Sequence, residues 1–121
     1  MKRLKYSMDS ADEVRLRHML DAAREALSFV QGRSRPDLDD NRMPVLSLVK
    51  EVEIIGEAAY RISELTRRDL PSIPWTAVIG MRRRLIHAYF DINLDVLWQT
   101  LVEDLPELVP EIESALPPRA D

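Results

Sequence analysis

The chain has 121 residues, 45% of them hydrophobic and 31% charged, with a formal net charge of −4 at pH 7 and no cysteine. That is one domain's worth of chain, able to bury a core of its own, and its acidic balance argues against a protein that coats nucleic acid through a general surplus of positive charge. The lack of thiols excludes a disulfide framework, a thiolate nucleophile and a cysteine-zinc site.

Met1 to Met8 carries basic residues that no apolar stretch follows, and no apolar run approaches the ~20 residues that a bilayer span requires. Neither secretion nor membrane insertion is expected; the expected location is cytoplasmic. Ser10-Ala11-Asp12-Glu13 has the Ser-x-x-Glu form of a capping box, after which Val14, Leu16, Met19, Leu20, Ala23, Leu27 and Val30 recur at helical spacing. This predicts a first helix ending at Gly32, with His18 on it as a structural or exposed residue. Gly32 to Arg42, rich in Asp, Arg, Ser and Pro, reads as a connection.

From Pro44 to about Leu65, Val45, Leu48, Val49, Val52, Ile55, Ala59 and Ile62 form one stripe, widened by Leu46, Ile54, Ala58 and Leu65. So broad a stripe predicts a second helix buried on more than one side, against its own domain and against a second subunit. Gly56 is placed to let a neighbouring helix approach. Glu51, Glu53 and Glu57 read as structural or solvated, with Glu57 a candidate partner for an arginine of a nearby basic cluster.

Leu70-Pro71-Ser72-Ile73-Pro74-Trp75 is a punctuated turn in which Ser72 is the candidate cap and Pro74 fits the first helical turn. A third helix is predicted from about Pro74 to Phe90. Asp91 or Asn93 caps a fourth, with Leu94, Leu97, Trp98, Leu101 and Val102 at core spacing. Asp104-Leu105-Pro106-Glu107 reads as a fresh start, because proline inside a continuing helix costs ~3 kcal/mol, and a short fifth helix runs to Leu116. No strand pattern is present. The fold class expected is all-α: a compact bundle of four to five helices in a single domain, residues 1–121, with flexible ends at about 1–8 and 117–121.

Chemistry concentrates in Gly80-Met81-Arg82-Arg83-Arg84-Leu85-Ile86-His87-Ala88-Tyr89-Phe90-Asp91. Arginine is a permanent cation whose planar fork matches phosphate oxygens, and histidine exchanges protons near neutral pH. On a continuous helix Arg82 and His87 differ by about 140°, whereas Arg83 and Arg84 share the face of His87. For Arg82 and His87 to act on one phosphate the helix must unwind near its end, the arginine must reach round, or two subunits must face each other. Cleaving RNA without a metal requires a base for the 2′-hydroxyl, an acid for the leaving 5′-oxygen and cations for the charged phosphorane. A symmetric dimer supplies His87 twice in a cleft on the two-fold axis. No metal or other cofactor is expected, since Asp91 is the one nearby i+4 ligand candidate for His87. The plainer account makes the arginines solvated faces and His87 a cation at a helix C-terminus.

Arg82-x4-His87-x-Tyr89, set in Met-Arg-Arg-Arg-Leu-Ile-His-Ala-Tyr-Phe-Asp, resembles the Arg-x4-His-x-Tyr signature of HEPN-domain ribonuclease toxins of the HepT type. The resemblance continues through Ile54-Ile55-Gly56-Glu57-Ala58-Ala59, Ile73-Pro74-Trp75 and Val96-Leu97-Trp98 to Asp104-Leu105-Pro106, nearly the whole domain. It implies a homodimeric all-α bundle that cleaves RNA without metal. His87 would be the general acid/base and Arg82 would hold the scissile phosphate, with Arg83 and Arg84 as further RNA-binding cations. It also implies a cognate MntA-type nucleotidyltransferase antitoxin that transfers AMP to Tyr89. The family often has asparagine after the motif arginine; Arg83 here adds a charge and removes an acceptor. Two other readings are a noncatalytic module that docks onto a nucleotidyltransferase, and a regulatory dimer that holds a nucleotide phosphate without cutting it.

Overall fold

The computed structural model describes residues 8–88 and 91–118, without the side chains of residues 87 and 88. Two long helices, α1 (Ser10–Val30) and α2 (Arg42–Arg61), run antiparallel, joined through a 3-10 turn at Arg35–Leu38. Four short helices follow: α3 (Glu64–Asp69), α4 (Trp75–Ile79), α5 (Met81–Leu85) and, beyond a small two-stranded ladder, α6 (Leu94–Gln99). A π-helical turn, Thr100–Asp104, leads from α6 directly into α7 (Leu105–Ala115). The all-α expectation holds for the described residues, the ladder being the one non-helical pairing: β1 (Ile86–Ala88) meets β2 (Asp91–Ile92) antiparallel.

The helical stripes become the core. Leu16, Met19, Leu20 and Ala23 of α1 meet Val45, Leu48, Val52, Ile55 and Ala59 of α2, and Leu97, Leu101, Leu105, Leu108 and Ile112 close the other side. Of the residues that widen the stripe, Ala58 is buried and Ile54 packs against the core, whereas Leu46 on α2 and Leu65 on α3 are exposed, as is Val14 on α1.

Several boundaries differ from those the periodicity predicts. Asp9, rather than Ser10, caps α1, its carboxylate accepting from the Ala11 amide at 2.8 Å. The second helix stops at Arg61 because Ser63 opens α3, its hydroxyl accepting from the Thr66 amide. Asp12 braces that junction from α1: buried at 2% exposure, it accepts from the Ser63 amide at 3.0 Å, the Ser63 hydroxyl at 2.6 Å and the Thr66 hydroxyl at 2.7 Å. Ser72 does not cap α4; its hydroxyl bonds Glu111 of α7, while Pro74 stands at the N-cap.

The predicted third helix breaks twice, at Gly80 and again after Leu85. Ile86 takes extended angles, φ −118° and ψ 111°, and the Leu85 carbonyl accepts from the Asn93 amide at 2.7 Å. A donor from across the ladder thus satisfies that helix end. No fresh start separates the predicted fourth and fifth helices. At the π turn the Leu105 amide bonds the Thr100 carbonyl, five residues back. That wider turn comes immediately before Pro106, which has no amide to donate and whose ring would crowd the carbonyl four residues back.

Candidate functional site

Gly56 marks where the end of α4 meets α2. A side chain built there would have its Cβ 3.4 Å from both the Val78 and Ile79 carbonyl oxygens. With hydrogen in that place, the end of α4 packs on α2, as the glycine's position in the stripe predicts. Gly80 then turns the chain into α5, which carries Arg82, Arg83 and Arg84 to the surface.

The three arginines part company there. Arg82 is 56% exposed, with its Nε 3.6 Å from an Oε of Glu53 on α2. Arg84 goes the other way: its guanidinium is 3.7 Å from the Asp104 carboxylate and donates to the Ala77 carbonyl at 3.5 Å, in a crevice of 440 Å³ also lined by Glu107 and Glu111. Arg83 is exposed on the same short helix. The backbone of His87 lies in β1, beyond the end of the helix, so the helical arithmetic that set Arg83 and Arg84 on its face does not apply. The His87 side chain lies outside the described residues, and so does Tyr89.

Arg82 opens onto a broad groove of 960 Å³ between α1 and α2. Arg15 and His18 of α1, Lys50, Glu53, Glu57, Tyr60 and Arg61 of α2, and Ile79 of α4 share its lining. Glu57 pairs with Arg61 at 2.9 Å, one turn further along α2. Both this pair and Glu53–Arg82 are solvent-exposed, where an ion pair contributes ~0–1 kcal/mol, so an incoming anion can displace either carboxylate. Lys50 and His18 have no ion-pair partner among the described residues. His18 is exposed on the groove wall, within the structural or exposed role expected of it. A signal existed in the sequence, since Ala11, Val14 or Arg15, and His18 recur at helical spacing, but that pattern equally describes a solvated face.

Among the described residues no helix is long and apolar enough to cross a membrane. The helical domain thus presents Arg82 at the wall of an open groove, with the chain leaving the helix shortly before His87. The family described as "Ribonuclease HepT-like" matches residues 19–115, so the chain belongs to the HepT-like ribonucleases and is an enzyme of the ribonuclease class. Among curated proteins it is 33% identical over 95 residues to "Putative RNase MJ1380" of Methanocaldococcus jannaschii, covering 78% of this chain and 87% of that one. It is 32% identical over 101 residues to "Putative RNase TTE0752" of Caldanaerobacter subterraneus, covering 84% and 90% respectively. Identity reaches 43% over 67 residues with "Probable ribonuclease HepT" of Thermococcus cleftensis, covering 55% of this chain and 61% of that one. No solved structure matches the chain significantly.

Proposed function

We propose that this chain is the toxin of a two-component toxin–antitoxin pair, a metal-independent RNA endonuclease that acts as a homodimer. The observation that carries the reading is the unwound backbone between Arg82 and His87, in a chain of the HepT-like ribonuclease family. An extended segment frees His87 from the angular separation that a continuous helix imposes, so Arg82 and His87 are able to serve one phosphate.

His87 of one protomer takes the proton of the 2′-hydroxyl, which attacks the adjacent phosphorus. The two-fold related His87 protonates the departing 5′-oxygen. Arg82 binds the non-bridging oxygens as their charge develops, and Arg83, exposed beside it, adds positive potential that draws the strand in, whereas Arg84 faces the acidic crevice beside α7. A nucleotidyltransferase of the MntA type is the proposed antitoxin. AMP transferred to Tyr89 would bring a phosphodiester anion beside His87 in sequence, where it repels RNA phosphates and competes for arginine.

The test is cleavage of end-labelled RNA by unmodified protein in chelator. Cutting is expected to survive chelation, to fall by about 10²–10⁴-fold in His87→Ala and by about 10²–10³-fold in Arg82→Ala. A folded wild-type dimer with bare Tyr89 that leaves RNA intact would overturn the nuclease and leave the docking module standing.

A further inference from the structure

We propose that the α1–α2 groove is the track for the RNA strand flanking the scissile phosphate, with Lys50 and His18 meeting backbone phosphates and Tyr60 stacking on a base. The inference rests on the ribonuclease reading and adds a binding site to it. Arg82, the motif arginine, is itself part of the groove wall, so a strand whose phosphate sits at Arg82 has the groove as its adjoining surface.

The lining has the two components that single-stranded nucleic acid requires. Arg15, Lys50, Arg61 and Arg82 give four cations against three carboxylates, Glu53 and Glu57 in the lining and Asp12 at 3.8 Å from Arg15, which leaves a surplus of one positive charge in a chain whose net charge is −4. Lys50 is the cation of this set with no carboxylate partner among the described residues, and so is available to a phosphate without breaking a pair. Tyr60 is 66% exposed, a large aromatic surface left in solvent at the end of α2 beside Arg61. Val14, Ile54 and Ile79 give apolar walls that suit the flat faces of bases. Stacking platforms interleaved with cations bind single strands with little sequence preference.

A second copy of this chain is the other occupant such a groove admits. Charge favours RNA: Lys50 has no carboxylate to answer it in the groove, and a two-fold mate seated here would bring a second Lys50 rather than the missing anion. A polyanion neutralises the surplus.

The experiment uses a short fluorescent RNA with 2′-O-methyl groups, which binds but offers no 2′-hydroxyl to attack. Its affinity is read by anisotropy across a salt series, beside cleavage of ordinary RNA and the solution mass of each protein. Lys50→Ala is expected to weaken binding and to lower the slope of log affinity against log salt by about 0.7, the share of one single-strand phosphate. Tyr60→Ala is expected to weaken binding about ten-fold with the slope unchanged, and His18→Ala to weaken it as well. All three are expected to keep the wild-type mass. Wild-type affinity and slope in the Lys50 and Tyr60 variants, from a protein that still cuts RNA, would overturn the track and leave the nuclease intact. A fall to half the wild-type mass in either variant would overturn it in favour of the second copy. A wild type that neither binds the inert RNA nor cuts the ordinary one would overturn the nuclease reading and the track with it.

Discussion

At the scale of single residues, two carboxylates pull the pH dependence of stability in opposite directions. Burial opposes ionisation of Asp12, but hydrogen bonds from the Ser63 hydroxyl and amide and the Thr66 hydroxyl, with Arg15 nearby, outweigh it and hold the carboxyl below its ordinary value of 3.8. A depressed carboxylate stabilises the fold above its unfolded value, and that contribution is lost as pH falls through the folded one. Removing it with Asp12→Ala strands three donors, two hydroxyls and an amide, and is expected to cost about 1–3 kcal/mol in a urea titration at neutral pH. Glu51 behaves in the opposite sense: burial, a hydrogen bond with Glu25 and that neighbour's charge push it up to about 7. A raised carboxyl binds its proton more tightly in the folded state, so its contribution is present in acid and lost as pH rises from 4.5 towards 7. After allowance for solvent screening the loss is on the order of 1 kcal/mol. Thermal melts at pH 5 and pH 8 check it: wild type is expected to lose stability between them, and Glu51→Gln to lose less. Arg82 and His87 are legible in the sequence because their chemistry is local to a motif. Asp12 is not, because its partners lie about fifty residues further along the chain, at Ser63 and Thr66.

At the scale of elements, Gly56 measures how closely α4 sits on α2. Gly56→Ala puts a methyl group at ordinary contact with two carbonyls and improves helix propensity, so little net change in stability is expected. Gly56→Val drives a branch into those carbonyls and is expected to cost about 1–3 kcal/mol, measurable as a lower denaturant midpoint with an unchanged slope. The long helices were readable from apolar periodicity, since Val45, Leu48, Val52, Ile55 and Ala59 are all buried as the stripe requires. The breaks were harder to read. Ser63 interrupts α2 where apolar residues continue on both sides, and Ile86 leaves the helix although the pattern runs on to Phe90. The deciding partner lies outside the helix in both places, Asp12 about fifty residues away for the first and Asn93 across the ladder for the second. Pro106 gave a true signal with the wrong outcome, for the helix absorbs it in a widened turn instead of stopping.

At the scale of the whole molecule, the claim that two copies of His87 share one reaction has a consequence for mixtures. If each cut needs the histidine of both protomers, a heterodimer of wild type with His87→Ala is inactive. Equal amounts of the two, unfolded and refolded together, are then expected to show about a quarter of the activity of the same total of wild-type chain. Separate mixing without exchange gives half, and half after verified exchange would assign the chemistry to single protomers. The bundle and the motif cations were open to sequence reading. The separation of Arg82 from Arg84 was not, since the same five-residue helix presents one to the α1–α2 groove and the other to the crevice beside α7, and that choice depends on Glu53 and Asp104 approaching from different elements.

The brace made by Asp12 joins the first turn of α1 to the first turn of α3, so those two helix starts share one opening event. The Ser63 amide, bonded to Asp12, and the Thr66 amide, bonded to Ser63, exchange their hydrogens with solvent only when that junction parts. A connection that would otherwise fray like any surface loop thereby acquires a lifetime tied to the long helical hairpin, and the far end of α2 is held to it without a covalent link.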